Sequence, residues 1–277
     1  MEPQLPNLVI IGAQKCATSS LHRYLGAHPD VAMSKDKEVD FFVEEIRWPL
    51  GSDWYRSNFR ADAKVRGESS PNYTVFPFYQ GVPARMHSLI PDTKLIYVVR
   101  DPIERMLSQY THNVDRHAET RSPEEALLNP DSGYLARSRY FMQLEQYLEY
   151  YDRSQILVLD YSALGNDTAA TLRSVFAFLD VDAGFTSPLF ETRFHGSGDK
   201  RRLTRAGAAA RRLYRAARRV APGASRLAAF RRSSLLSKKI ERPVLSEQAR
   251  TVLRERLSGD VRELRAFTGM AFVDWSL

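Results

Sequence analysis

The chain of 277 residues is 43% hydrophobic and 11% aromatic, enough apolar material for one large α/β domain with a C-terminal elaboration. Its one cysteine, Cys16, excludes an intramolecular disulfide and a multi-cysteine metal centre; no run nears the roughly 20 apolar residues of a membrane span, and the start MEPQLPNLVIIGAQK lacks the pattern of a secretory leader, so a soluble, cytoplasmic protein is expected. The net charge of +7 is uneven, because residues 200–242 hold fifteen Lys or Arg and one acid, Glu241, a local +14 that leaves −7 elsewhere; this favours a localised anionic partner over specific nucleic-acid binding, the plain alternative being a solvated arginine-rich helix face.

In chain order, Leu8-Val9-Ile10-Ile11 is an apolar run ending at Gly12, and Leu21, Tyr24 and Leu25 follow at helical spacing, so the chain opens strand, loop, helix. A strand is expected at 64–68 and a helix at 78–89. Lys94-Leu95-Ile96-Tyr97-Val98-Val99 is a second β-rich run. Arg100-Asp101-Pro102 ends it, with Pro102 suited to the first turn of a helix through about Asn113. Helices at 138–151 and 167–179 bracket a strand at 155–160. Continuous apolar strands feeding helices imply a parallel sheet covered on both faces, a three-layer α/β fold. Beyond Asp180, the residues Gly184, Pro188, Gly196 and Gly198 mark irregular chain. Basic helices are predicted over about 201–220 and 226–240, then an amphipathic helix from Ser246, an N-cap with Glu247 in its first turn, to about Phe267. One domain is expected over 1–277, with an α/β core over 7–180 and an irregular and helical elaboration over 181–277.

The loop Gly12-Ala13-Gln14-Lys15-Cys16-Ala17-Thr18-Ser19-Ser20 joins a buried strand to a helix. Small residues there let backbone N–H groups converge on an anion, and the helix N-terminus adds partial positive charge. Lys15 brings a full charge, and Thr18, Ser19 and Ser20 bring hydroxyl donors. The loop departs from the Walker pattern, in which lysine immediately precedes the hydroxyl residue; here Lys15 stands three positions before Thr18. A second candidate anion site pairs Arg100, at a strand's carboxyl end, with Ser108 two turns into the next helix. In isolation, an arginine at a strand end such as Arg100 is more often a structural ion-pair partner, here of Asp101 or Glu104. Cys16 invites a nucleophile reading by its place at a helix N-terminus, but a small side chain tolerated in a phosphate loop is preferred. The six histidines, including His22, His28, His112 and His117, form no compact ligand set.

The loop resembles the 5′-phosphosulfate loop of sulfotransferases that use 3′-phosphoadenosine 5′-phosphosulfate, and residues 97–110 resemble that family's 3′-phosphate motif. The resemblance implies a P-loop-kinase-like parallel sheet, that donor, and no metal. It assigns Gln14, Lys15, Cys16, Ala17, Thr18, Ser19, Ser20, Arg100 and Ser108 to donor binding. Where the family often has glycine, this chain has Ala17, so the loop is either right-handed there or strained by roughly 1 kcal/mol. Lys37-Glu38-Val39-Asp40-Phe41-Phe42 is similar to a segment of the heparan sulfate-modifying branch and its bacterial relatives, and the resemblance continues through Gly67-Glu68-Ser69-Ser70-Pro71-Asn72-Tyr73 and Ser138-Arg139-Tyr140. It makes Glu38 the general base that deprotonates an acceptor hydroxyl, with Lys15 stabilising charge on the departing phosphate. Read alone, Glu38 is a surface ion-pair partner of Lys35 or Lys37. Asp40 and Ser69 stand where that branch often has histidine and lysine, which argues against a heparan-like polymer and leaves a small-molecule, glycolipid or saccharide-like acceptor; Glu68 and Asp40 read either as groups that assist the base or bind acceptor hydroxyls, or as plain ion-pair or capping residues.

Related enzymes place a basic C-terminal loop on the 3′-phosphate. Lys200, Arg201 and Arg202, just after the glycine-bearing stretch 194–198, are therefore assigned to the donor as the start of a cover. Two other functions compete: a Mg²⁺-dependent P-loop kinase, and a non-enzymatic module that meets an anionic polymer or membrane surface through residues 200–242. Acceptor identity and oligomeric state stay open.

Overall fold

The computed structural model describes residues 4–59, 62–192, 201–203, 237–239 and 242–277, with backbone only for 201–203 and 237–239. Five parallel strands form one sheet in the order β2-β3-β1-β4-β5: β1 Leu8–Gly12, β2 Val31–Met33, β3 Val65–Ser69, β4 Lys94–Val99 and β5 Ile156–Asp160. All of β1 and all of β4 after Lys94 are buried, as expected of strands covered on both faces. The helices are α1 Thr18–Leu25, α2 Gly51–Arg56, α3 Val82–Leu89, α4 Pro102–Asp115, α5 Pro123–Leu127, α6 Gly133–Ala136, α7 Tyr140–Leu148, α8 Tyr161–Asn166, α9 Thr168–Phe178 and α10 Glu247–Thr268.

From β1 the chain runs to β2 and β3 on one side, and β4 continues to β5 on the other. The direction of winding thus reverses between β1 and β4. Crevices at such reversals, outside the carboxyl ends of the strands, are where open α/β sheets bind ligands. Both sequence-predicted anion motifs leave the sheet there, the loop from β1 and Arg100 from β4.

Several expected boundaries move for local reasons. The helix expected from 78 starts at Val82, after Gly81 in a left-handed conformation (φ 68°) and with a proline in its first turn. The helix expected from 138 starts at Tyr140, because buried Ser138 instead accepts from Arg105 and donates to the Pro102 carbonyl. Ser246 caps α10 as expected, accepting from Ala249 N–H. The basic helices predicted over 201–220 and 226–240 are corrected at their ends: Arg201–Leu203 (β6) pairs antiparallel with Ser237–Lys239 (β7). There, ladder hydrogen bonds with a distant segment override a helical apolar spacing. The rest of those two helices, and Lys200, lie outside the described residues.

Val261 and Leu264 of α10 join the sheet's core, while Ala249, Leu253 and Leu257 pack with Ile103, Met106 and Leu107 of α4. Asp260 accepts from Phe141 N–H (3.0 Å) and Met142 N–H (2.8 Å), closing the start of α7 from another helix. Burial pushes its carboxyl up to about 6. Among the described residues, no helix is long and apolar enough to cross a membrane.

Candidate active site

Gly12 ends β1 where a side chain has no room, since a Cβ would lie 2.3 Å from Thr74 Oγ1 and 2.8 Å from the Tyr97 ring. Beyond it, Lys15 (φ 74°) and Ala17 (φ 61°) are both left-handed. Each such residue costs about 1–2 kcal/mol, so of the two alternatives at Ala17 the strained one is correct. Strain held at a loop between a buried strand and a helix is a mark of a functional backbone. Ala13 N–H bonds Val98 O at 2.8 Å and Cys16 N–H bonds Ala13 O at 3.2 Å. Ser20 N–H and Leu21 N–H bond Ala17 O at 2.9 and 3.1 Å, so the Thr18 and Ser19 amides are the ones that precede the first bond of α1, at the end of the helix where anions bind. The Cys16 side chain is wholly buried, and burial pushes its thiol up to about 11. That removes the nucleophile reading.

Beneath the loop lies a residue that the sequence reading passed over. Arg105 of α4 is 0% exposed. It donates to Ser138 Oγ (2.7 Å), Tyr134 O (2.7 Å), Gln109 Oε1 (2.9 Å) and Gln14 O (3.5 Å). All four partners are neutral, so a buried guanidinium charge stands directly behind the phosphate-type loop. Desolvation lowers its pKa. The signal was present in the sequence as an arginine on the apolar face of α4, three positions before Ser108.

Arg100 sits 3.6 Å from Glu104 Oε2 and lies over the Tyr161 ring at 4.6 Å. Arg242, the last residue of the basic segment, contacts the same Glu104 oxygen. Two guanidinium groups therefore meet beside α4, on which Ser108 is half-buried. The backbone of β6 also runs against α4, which brings the strand bearing Arg201 and Arg202 to this side of the sheet. Asp101 holds the entry to α4, accepting from Glu104 N–H (2.9 Å) and Ser276 N–H (2.5 Å).

Glu38 lies on a turn at the carboxyl end of β3. Its side chain is 56% exposed and paired with Lys37 at 2.9 Å. Backbone bonds hold the turn on every side: Glu38 N–H to Ser69 O (3.0 Å), Asp40 N–H to Ser70 Oγ (2.9 Å) and Phe41 N–H to Tyr73 OH (2.9 Å), while Arg47 donates to the Glu38 and Val39 carbonyls. Asp40 is 8% exposed, takes Asn72 Nδ2 at 3.1 Å on one oxygen and has no partner on the other. Burial and the nearby Glu38 raise its pKa. Glu68 is wholly buried under three hydroxyl donors, Tyr55, Ser70 and Tyr73. Among the described residues, no group of three or more His, Cys, Asp and Glu side chains is placed to hold a metal ion.

The sulfotransferase-domain family model matches residues 5–193. Heparan sulfate glucosamine 3-O-sulfotransferase 3A1 of Mus musculus is 32% identical over 197 residues, 68% of this chain and 49% of that protein. Bifunctional heparan sulfate N-deacetylase/N-sulfotransferase 1 of Caenorhabditis elegans is 28% identical over 193 residues, 64% of this chain and 22% of that protein. The chain thus spans half or less of the length of these curated relatives. A crystal structure of a sulfotransferase from Alicyclobacillus acidocaldarius shares the fold with a TM-score of 0.72 at 24% identity, covering 99% of this chain and 100% of that one. A strained phosphate-type loop at the winding reversal of a parallel sheet, inside a segment that the domain model matches from 5 to 193, leads to one assignment: the chain belongs to the sulfotransferase family.

Proposed function

We propose that the protein transfers a sulfuryl group from 3′-phosphoadenosine 5′-phosphosulfate to a hydroxyl or amine of a small-molecule, glycolipid or saccharide-like acceptor. What supports this reading is that the two candidate anion-binding segments, residues 14–20 after β1 and Arg100 with Ser108 after β4, both follow strands that flank one sheet reversal. In this scheme the loop from Gln14 to Ser20 and the Lys15 ammonium hold the 5′-phosphosulfate, with the Cys16 and Ser20 amides already bonded to Ala13 O and Ala17 O. Arg100 and Ser108 hold the 3′-phosphate, with Lys200, Arg201 and Arg202 adding charge from the basic segment. Arg105 contributes a fixed positive field from behind the loop.

The acceptor oxygen attacks sulfur in line with the bridging oxygen of the phosphate. As the new S–O bond forms, Glu38 takes the acceptor's proton, and the old S–O bond breaks to release adenosine 3′,5′-bisphosphate. Charge on the bridging oxygen develops against Lys15 and the loop amides, so positioning and electrostatics supply most of the acceleration. The exposure of Glu38 suits a group that must meet an acceptor from solvent. The heparan sulfate relatives make a saccharide acceptor reasonable, while Asp40 and Ser69 bring no positive charge for a polyanion.

Incubation of the protein and ³⁵S-labelled donor with a panel of hydroxyl and amine acceptors tests the proposal. Label should move to an acceptor, persist in EDTA, and fall by roughly 10² or more in Glu38→Gln with donor affinity within about threefold. Mg²⁺-dependent transfer of phosphate from ATP, without sulfuryl transfer, would overturn it.

A further inference from the structure

Three backbone amides of the turn that carries Glu38, those of Asp40, Phe41 and Phe42, bond hydroxyls that lead back to one buried carboxylate. A hydroxyl has a single hydrogen to give and lone pairs to receive with. Ser70 gives its hydrogen to Glu68 Oε2 (2.5 Å), and Tyr73 gives its own to Glu68 Oε1 (2.8 Å), beside Tyr55 on the same oxygen (2.6 Å). The oxygens of Ser70 and Tyr73 are thereby oriented as acceptors. Ser70 Oγ takes Asp40 N–H at 2.9 Å, and Tyr73 OH takes Phe41 N–H at 2.9 Å and Phe42 N–H at 3.5 Å. Asp40, whose amide is one of these and which Phe41 follows, is left-handed at φ 49°, as is Glu38 two residues before it at φ 65°, a backbone that persists only when its surroundings over-determine it.

We propose that Glu68 is a positioning residue whose negative charge sets the direction of this network and so holds the Glu38–Asp40 turn in its reactive shape. The proposal rests on the reading of Glu38 as the base but is testable apart from it. An ionised carboxylate only accepts, which suits three hydroxyl donors. A protonated Glu68 must itself donate, and one of the three hydroxyls then loses its acceptor and must turn toward another. The groups that face Glu68 are Tyr55 of α2, Ser70 and Tyr73 after β3, Asp40 of the turn, and more distantly Tyr147 of α7; none of these is a cation. Burial pushes the Glu68 carboxyl up to about 7, so the network changes its proton count close to neutrality.

Amide exchange at Asp40 and Phe41 reads the network directly, without turnover. After correction for intrinsic rates, both amides should be protected at least about tenfold more at about pH 8 than at about pH 5.5. Glu68→Gln should flatten that ratio to within about twofold and lower kcat about tenfold or more, while leaving donor affinity within about threefold. Protection in the wild-type protein that does not change with pH, or a Glu68→Gln variant with the wild-type ratio, would overturn the proposal. Should Glu68→Gln not fold, the pH series on the wild-type protein decides alone. Failure of the base reading looks different: Glu38→Gln would then keep its turnover, and the amide ratio would be unaffected.

Discussion

Ala17 is one of the residues at which the chain carries strain, left-handed at φ 61° and ψ 19° on a residue with a Cβ. Replacement by glycine normally destabilises by 0.5–1 kcal/mol through backbone entropy, roughly offset or exceeded here by relief of about 1–2 kcal/mol of strain. Ala17→Gly should therefore be neutral or stabilising by up to about 1 kcal/mol in urea unfolding, and a clear loss would show that the loop is not left-handed there. Arg105 makes the opposite case, since its removal leaves Ser138, Tyr134, Gln109 and Gln14 without their donor. Arg105→Met should cost about 3 kcal/mol, and a cost below about 1 would contradict its structural weight. Lys15 stands out in the sequence by its place in a loop between a buried strand and a helix, whereas Arg100 and Glu38, which read alone as ion-pair partners, were singled out by the family resemblance. Arg105 carried no such mark, and Glu68 was open between assisting the base and a plain ion-pair or capping role, because what sets both apart is complete burial, and burial belongs to the folded packing.

At the scale of elements, β4 was read to the residue, and β1, β3 and β5 to within one position at either end, because buried parallel strands are nearly pure apolar runs. The three-residue β2 was missed: Val31–Met33 is too short to carry a period and exists by pairing with β3. The ribbon of β6 and β7 was misread for a related reason, since strand pairing between residues more than thirty apart leaves no local mark. The closure of α7 by Asp260 likewise joins residues 118 and 119 apart in sequence. Asp260→Ala should lower stability by about 1–2 kcal/mol, the usual worth of a helix cap. Asp260→Asn, which keeps an acceptor, should recover part of that loss in the same unfolding measurement.

For the molecule as a whole, buried titratable groups pull stability both ways with pH: His22, lowered to about 4 by burial, gives up stability as pH falls, and two buried acids outweigh it in the other direction. Glu68 and Asp260 have folded pKa values raised to about 7 and about 6. Each therefore adds stability that is fully present below its unfolded value and is lost as pH rises through the folded one. Glu119, lowered to about 2 by Arg121, has the opposite sign and gives up its contribution as pH falls below its unfolded value. Urea midpoints should consequently be higher at about pH 5.5 than at about pH 8, although the Glu38 turn loosens over the same range; a midpoint that rises toward pH 8 would contradict these assignments. The positive charge of residues 200–242 is the feature that composition made plainest, and Arg242 on Glu104 together with β6 against α4 brings its two ends to the Arg100 side of the sheet. The most direct test of the donor assignment is calorimetric titration with adenosine 3′,5′-bisphosphate, 5′-AMP and ATP at matched ionic strength. The bisphosphate should bind at least about tenfold more tightly than 5′-AMP, and Arg100→Ala should erase most of that difference; equal affinities for all three nucleotides would contradict the account.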